Sequence, residues 1–371
     1  MHYNKNALEG SATVGYSRRA KDHGSVTAVG ALTTYKKVVD IENDEDYSFY
    51  DECEIKHYGL SNVDLKEVHR KLKRQKDFLN SSFLFDRISN KRIPLSQVVI
   101  SAYHSPDRYY AEIQNRVHTL ELIANQRDLE PLFMTLTLPS EYHKYKTTKN
   151  GTLTKNPKYN GLTPKDSVKV LTKYFARLRQ DRSLKNLSKE ERIYFRVNEP
   201  HKDGTPHTHI LMFLPKEAIP RVIRAYKRLY DDRANDIQII RDDINNSVAY
   251  VMKYVNKVLP LSKKKNLTQK EMFLNAWYSK HRVVRFNCSK TLAPLSLYRL
   301  LHNKFTMLTL TKLVHQKSLD VYVAIDTNKV MEIFDGDEVI YTRNDNFNVE
   351  LSGDNSQNYS QASDSASGVA A

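Results

Sequence analysis

The chain has two cysteines, Cys53 and Cys288, in 371 residues. They are too few and too far apart for a disulfide framework or a cysteine-ligated zinc site, so a reducing compartment is the natural inference. No apolar run approaches the roughly 20 residues that a membrane span requires. The opening MHYNKNALEGSATVGYSRRAK also lacks the apolar centre of a signal peptide, so a cytoplasmic protein with no membrane partner is expected. There is no internal repeat. Acidic residues are the minority among the charges: 43 Asp plus Glu stand against 58 Lys plus Arg, a net charge of +15. Such a balance favours a polyanionic partner through counterion release, although basicity alone does not identify nucleic acid.

What is present centres on Glu199-Pro-His-Lys-Asp-Gly-Thr-Pro-His207-Thr-His209-Ile-Leu-Met-Phe-Leu-Pro215. In a strand from His207 to Leu214, His207 and His209 share one face while Thr208, Ile210 and Met212 share the other. Ile193 to Glu199 alternates in the same way, and Asp203-Gly204 between the two runs is a hairpin-turn signal. Closing that hairpin sets Glu199 beside both imidazoles. A histidine pair at this spacing is also compatible with a metal-free strand edge. Two imidazoles and a carboxylate, with no fourth protein ligand, suit a catalytic divalent ion that also holds a phosphate oxygen and water.

A second constellation follows on a helix expected from about Asp242 to Leu259, before Pro260. At helical periodicity Val248, Val251, Met252, Val255, Val258 and Leu259 form an apolar stripe. Tyr250, Lys253, Tyr254 and Lys257 gather nearly opposite it, which reads as display of the phenols rather than burial. A phenol can attack phosphorus, but with an ordinary pKa near 10 it needs help at neutral pH. Lys253 and Lys257 would favour the phenolate or hold the phosphate, while a metal withdraws charge from the scissile group. The product would be a phosphotyrosyl link to DNA and a free 3′-hydroxyl. Two tyrosines allow a second cleavage while the first remains occupied.

Three stretches in this order resemble the HUH endonucleases, and within them the two-tyrosine replication gene A proteins of bacteriophages. They are Leu132-Phe-Met-Thr-Leu-Thr-Leu-Pro-Ser-Glu-Tyr-His143, the segment from Glu199 to His209, and Ala249-Tyr-Val-Met-Lys-Tyr-Val-Asn-Lys257. Ala276-Trp-Tyr-Ser-Lys-His-Arg-Val-Val-Arg-Phe286 is similar to the family's downstream segment, and the likeness covers roughly Tyr103 to Asn303. The resemblance implies that His207 and His209 are metal ligands, Tyr250 and Tyr254 nucleophiles, and Lys253 and Lys257 the basic residues of the tyrosine helix. Glu199 is taken as the third ligand, with His201 in the turn as its competitor. Thr208 departs from the family pattern, which places a bulky apolar residue between the histidines.

By the same resemblance the activity is that of a rolling-circle replication initiator, working with Mg²⁺ or Mn²⁺ on single-stranded or hairpin origin DNA. Imidazole ligands favour Mn²⁺ and cellular abundance favours Mg²⁺. Host helicase, polymerase and single-strand-binding protein are the implied partners. A transposase or relaxase of another mobile element is the rival within this chemistry, although no helicase-type phosphate loop accompanies the site. A nucleic-acid-binding module with a structural ion, or none, is the rival outside it.

The remaining segments set the expected layout. Residues 1–100 form an accessory region: a loose segment to about residue 40, an acidic run from Glu42 to Glu54, and a basic helix from Asp64 to Phe78 with Val68, Leu72 and Phe78 inward. Residues 101–303 form an α+β catalytic domain in which helices flank a central, mainly antiparallel five-stranded sheet, the RNA-recognition-like arrangement that the resemblance implies. Its strand Leu132 to Leu138 turns Thr135 and Thr137 toward the site. The loop from Glu141 to Thr163 interleaves Lys144, Lys146, Lys149, Lys155 and Lys158 with Tyr142, Tyr145 and Tyr159, a pattern suited to single strands. Thr163-Pro164 starts a helix, a last strand spans Val283 to Asn287, and Tyr298 to Leu313 reads as helix. Residues 304–343 make a small helical and β extension, and the polar stretch 344–371 is expected to be disordered.

Overall fold

Strands in which every second side chain is apolar on both faces need a helical layer on each side, and that requirement organises this chain. In a computed structural model, residues 3–4, 54–230, 235–239, 244–260, 266–344 and 346–350 are described. The acidic run before Glu54, most of the segment expected to be loose, and the tail beyond Glu350 lie outside them.

The central sheet contains β1 (Leu129–Leu136), β2 (Ile193–Pro200), β3 (Pro206–Pro215), β4 (Asp236–Ile239) and β5 (Phe286–Cys288), in the order β4-β1-β3-β2-β5. Every neighbouring pair is antiparallel. The five-stranded antiparallel sheet within a mixed helix-and-strand fold thus agrees with the expected class, and β3, the histidine strand, is its centre.

Alternation separates the two faces cleanly. Leu129 and Phe133 of β1, Ile193, Phe195 and Val197 of β2, and Leu211 and Phe213 of β3 face one apolar layer. That layer is completed by α1 (Pro106–Gln126), by the tyrosine helix and by the helix after it. Leu132, Met134 and Leu136 of β1 and Ile210, Met212 and Leu214 of β3 face the other. There they meet α2 (Pro164–Gln180), α3 (Arg182–Lys185) and α4 (Ile219–Leu229). Thr163 caps α2 by accepting from the Asp166 amide, with Pro164 in the first turn, as the sequence predicts.

The tyrosine helix, α5 (Ile244–Val258), buries Val251, Val255 and Val258, spaced one turn apart. Next comes α6 (Gln269–His281), opened by a Thr268–Glu271 capping box and closed by Arg282 in the left-handed region at φ 52°. That closure delays the last strand, which starts at Phe286 and not at Val283. The expected helix from Tyr298 to Leu313 is two helices, Leu295–Leu301 and Met307–Gln316, the second capped by Thr306.

Chain contacts divide the protein into two units, 55–318 with 344–371, and 1–54 with 319–343. Residues 55–100, expected as an accessory region, therefore pack within the same unit as the central sheet. They supply a small hairpin (Ile55–His57 and Leu60–Ser61) and a helix, Asn62–Ser81. Val68 is buried in that helix, but Phe78 is 46% exposed and does not face inward. The stretch expected to be disordered from Asn344 instead begins with a strand, Phe347–Glu350, which pairs antiparallel with Phe83–Asp86.

In the other unit, Leu319–Ala324, Val330–Asp335 and Glu338–Thr342 form an antiparallel meander, with Tyr3–Asn4 paired to its first strand. Alternation buries Val321, Val323, Ile333 and Ile340. The helix Met307–Gln316, expected to belong with these strands, groups with the first unit. Among the described residues, no helix is long and apolar enough to cross a membrane.

Candidate active site

The histidine hairpin puts Glu199 directly opposite His207 in the β2–β3 register. Side chains of one strand parity share a face, so Glu199, His207 and His209 all point toward the layer containing α5. The two Nε2 atoms lie 3.0 Å apart. Glu199 Oε2 is 3.5 Å from His207 Nε2 and 3.8 Å from His209 Nε2. The three residues, only 1%, 9% and 8% exposed, therefore converge three potential donor atoms, all within 4.8 Å of one another. Glu199 Oε1 and His207 Nδ1 are buried without a hydrogen-bond partner. A nitrogen, nitrogen, oxygen donor set of this kind, with spare capacity on the carboxylate, fits a divalent cation.

The electrostatics suit that role. Burial pushes the Glu199 carboxyl upward, but hydrogen bonding to His207 and His209 and the nearby Lys257 ammonium outweigh it and hold Glu199 well below the usual carboxylate range. Lys257 Nζ donates to Glu199 Oε2 at 2.7 Å. Burial, opposed by Glu199, lowers the His209 pKa. Both shifts favour the metal-ligating protonation states, an anionic carboxylate and a neutral imidazole.

The phenols reach the same face. The Tyr254 ring lies 4.1 Å from the His209 ring, and Tyr254 Oη donates to Tyr250 Oη at 3.2 Å. Phe133 of β1 supports both, edge-on to Tyr250 at 4.7 Å and stacked with Tyr254 at 5.6 Å. Neither phenol is displayed freely to solvent. Both are half-buried, because Phe133 and His209 extend an apolar ledge from the sheet beneath them. Burial first, then the hydrogen bond to Tyr250, pushes the Tyr254 hydroxyl above its ordinary value. Lys253 Nζ sits 5.3 Å from the centre of the Tyr250 ring, whereas Lys257 turns to Glu199.

His201 does not join the donor cluster. Its ring lies tilted, 4.1 Å from that of His207 and 5.4 Å from that of His143. Burial and then the charges of His207 and His143 push its pKa down to about 3. Thr208, on the opposite face, donates to Asn198 Oδ1 at 2.7 Å, while Asn198 Nδ2 donates to the Val284 carbonyl. A polar clamp thus replaces the bulky apolar residue of the family pattern.

The comparisons with known proteins converge on one family. The profile of the bacteriophage replication gene A protein (GPA) family matches residues 54–260, more than half of the 371-residue chain. The chain belongs to that family. It is 36% identical over 200 residues to the replication gene A protein of Escherichia phage 186, covering 50% of this chain and 27% of that protein. Identity to the replication gene A protein of Escherichia phage P2 is 28% over 207 residues, or 52% and 27% of the two chains. A probable replication endonuclease from a prophage-like region of Salmonella typhi is 30% identical over 243 residues, or 59% and 29%. These matches span less than a third of the curated relatives' lengths. No solved structure matches this gene A family member.

Further residues around the site include one expected from strand parity and several that carry no isolated signal in the sequence. Thr135, paired with His209 across the sheet, places Oγ1 3.1 Å from His209 Nδ1, so the expected hydroxyl face does meet the site. His143 Nδ1 pairs with Asp203 Oδ2 at 2.9 Å, and Asp203 also accepts from Thr205 Oγ1. Read alone, Asp203-Gly204 was only a turn. The backbone of Gly204, at φ +89°, crosses that of the Tyr58-Gly59 turn, where Gly59 is at φ +69°. Trp277, the single tryptophan, donates Nε1 to the Gly204 carbonyl at 2.9 Å. The N-terminal hairpin and α6 therefore brace the turn between the two strands that carry Glu199, His207 and His209. In the Lys-Tyr loop, Tyr145–Thr147 and Leu153–Lys155 form a short hairpin with all five lysines exposed.

Proposed function

We propose that this gene A family protein is a rolling-circle replication initiator that nicks one DNA strand and rejoins strands through a 5′-phosphotyrosyl intermediate. The observation carrying this reading is the placement of two phenols, with Oη atoms 3.2 Å apart, against the ring of His209 in the Glu199–His207–His209 donor set. The sheet order, with the histidines on the central strand, agrees with an HUH endonuclease. Gene A proteins and replication endonucleases among the relatives support the biological setting.

Glu199, His207 and His209 would hold Mg²⁺ or Mn²⁺, which would withdraw charge from the scissile phosphate and orient it. Tyr250 or Tyr254 supplies the oxygen that bonds to phosphorus. The bond from phosphorus to the 3′ oxygen breaks, that oxygen takes up a proton, and the phenol loses one. Lys253 is placed to hold phosphate near the Tyr250 ring. Lys257 stabilises the ionised Glu199 carboxylate through their 2.7 Å contact. The free 3′-hydroxyl primes a host polymerase. Later, the second tyrosine cuts the regenerated origin, and the new 3′-hydroxyl attacks the first phosphotyrosyl bond to close a circle. Because that bond conserves the energy of the phosphodiester, no nucleotide cofactor is required.

In this reading, residues 101–303 carry the chemistry, the exposed Lys-Tyr loop handles single-stranded DNA, and the reaction takes place in the host cytoplasm with host helicase and single-strand-binding protein. Labelled single-stranded oligonucleotides tiling the gene and its flanks, with Mn²⁺, should yield a detergent-resistant covalent adduct. Peptide mapping should place the DNA on Tyr250 or Tyr254, and changing both to Phe should abolish the adduct. Equal adduct from the double variant would remove both nucleophile assignments.

A further inference from the structure

The face of the sheet opposite the phenols carries a second basic feature that the nicking chemistry does not use. Arg221, Arg224 and Arg228 lie at i, i+3 and i+7 on α4, the spacing of a single helical stripe, and all three are exposed. With Arg182 of α3 they line a shallow cavity of about 380 Å³. Asp181 caps α3 and pairs with Arg228. Arg182, Arg221 and Arg224 have no carboxylate partner among the described residues.

Four guanidinium groups around one cavity repel one another, and one carboxylate offsets only part of that charge. Their planar forks match phosphate oxygens in bidentate geometry, which ammonium groups do not. The stripe from Arg221 to Arg228 rises about 10 Å along the helix, enough to follow roughly three consecutive phosphates of one strand. No aromatic side chain lines the cavity. It therefore offers charge without the stacking surfaces on which unpaired bases are held.

We infer that the Arg182–Arg221–Arg224–Arg228 ridge is a binding site for the phosphate backbone of duplex DNA, on the face of the sheet opposite the nicking site. The inference rests on reading the chain as a DNA-nicking initiator, and it deepens that reading. The single strand to be cut meets the phenol face, while flanking duplex is held by the opposite layer. Duplex contact there would keep the protein beside its origin without occupying the catalytic groove.

The test compares full-length wild type with Arg221→Ala/Arg224→Ala and with Arg221→Lys/Arg224→Lys. Fluorescence anisotropy is read on a blunt 25-base-pair duplex and a 12-nucleotide single strand over a salt series. The alanine pair should weaken duplex binding about tenfold at 0.1 M salt and flatten the log–log salt slope by about 2, since each lost phosphate contact contributes roughly 0.9. The lysine pair should keep the slope and lose part of the affinity. Metal-dependent adduct formation on the short single strand should match wild type, and unchanged thermal melting would show that the exposed substitutions leave the fold intact. Unchanged duplex affinity would overturn the inference. An equal loss on single strand and duplex would also overturn it, placing the ridge on the path of the cut strand. If wild type formed no covalent adduct, the nicking reading would fail while the duplex-binding comparison remained readable.

Discussion

Gly204→Ala tests whether the N-terminal hairpin braces the site. Gly204 has φ +89°, and an added Cβ would stand 2.3 Å from the Tyr58 carbonyl oxygen and 2.9 Å from its carbon. The left-handed conformation costs a residue with a Cβ about 1–2 kcal/mol. The clash is with backbone, which cannot rotate away, so one of the two turns must shift by roughly 1 Å, an overpacking cost of about 1–3 kcal/mol. The expected loss is about 2–5 kcal/mol. Gly151→Ala is the internal control, because Gly151 has φ +81° with nothing within 4 Å of the added carbon. It should lose only the conformational part, about 1–2 kcal/mol. Urea melts with unchanged m-values give both numbers from the shift in midpoint. Displacement of the Glu199–His209 hairpin should also slow the proposed adduct formation by up to about 100-fold, since a 1 Å misplacement of reacting groups can cost that much. If Gly204→Ala loses no more stability than Gly151→Ala, the close approach of the two turns is not a structural constraint and the argument for bracing fails.

Further outcomes follow from individual contacts. Thr135→Val removes the hydroxyl beside His209 Nδ1 and should weaken Mn²⁺ binding about 10–100-fold in calorimetric titration while the fold persists; unchanged affinity would remove Thr135 from the site. Trp277→Phe leaves the Gly204 carbonyl without its 2.9 Å donor and opens space around a fully buried ring, for a loss of about 2–3 kcal/mol in urea melts. Burial, then the neighbouring Lys280 charge, pushes His281 down to about 4. An unfolded histidine takes its proton near 6.5, so between those values the unfolded chain binds more protons and stability falls as pH drops; the contribution is complete above pH 6.5. Between pH 7 and 5 this amounts to about 1–2 kcal/mol, and His281→Gln should flatten the profile by that amount. Parallel profiles for the two proteins would show that His281 is not responsible.

The parts of the fold that were legible in the sequence are those governed by short-range periodicity. Alternation on either side of Asp203-Gly204 gave the hairpin and brought Glu199 to the histidine pair, because β-strand parity fixes which side chains share a face. Heptad-like valines gave α5, and Thr163-Pro164 gave the start of α2. Long-range contacts were not legible. Nothing local to Tyr58-Gly59 announces that it meets Gly204, 145 residues later, and no periodicity joins His143 to Asp203. The phenols illustrate the same limit. Helical spacing correctly grouped Tyr250 with Tyr254, but their half-burial depends on Phe133, an apolar residue of a distant strand that faces the same layer. Lys257 was grouped with the phenols by spacing, yet its flexible stem reaches the Glu199 carboxylate because that is the buried charge nearest to it.

The three donors lie within eleven consecutive residues, on the two arms of one tight hairpin, while the phenols come from a helix more than forty residues downstream. On the proposed reading, the residues that would hold the ion and those that would attack the strand therefore belong to separate segments of the chain. A chain cut after β4 would nevertheless lose more than the phenols, because α5, α6 and β5 close the apolar layer against which the donor face is built, and Trp277 of α6 holds the hairpin turn itself.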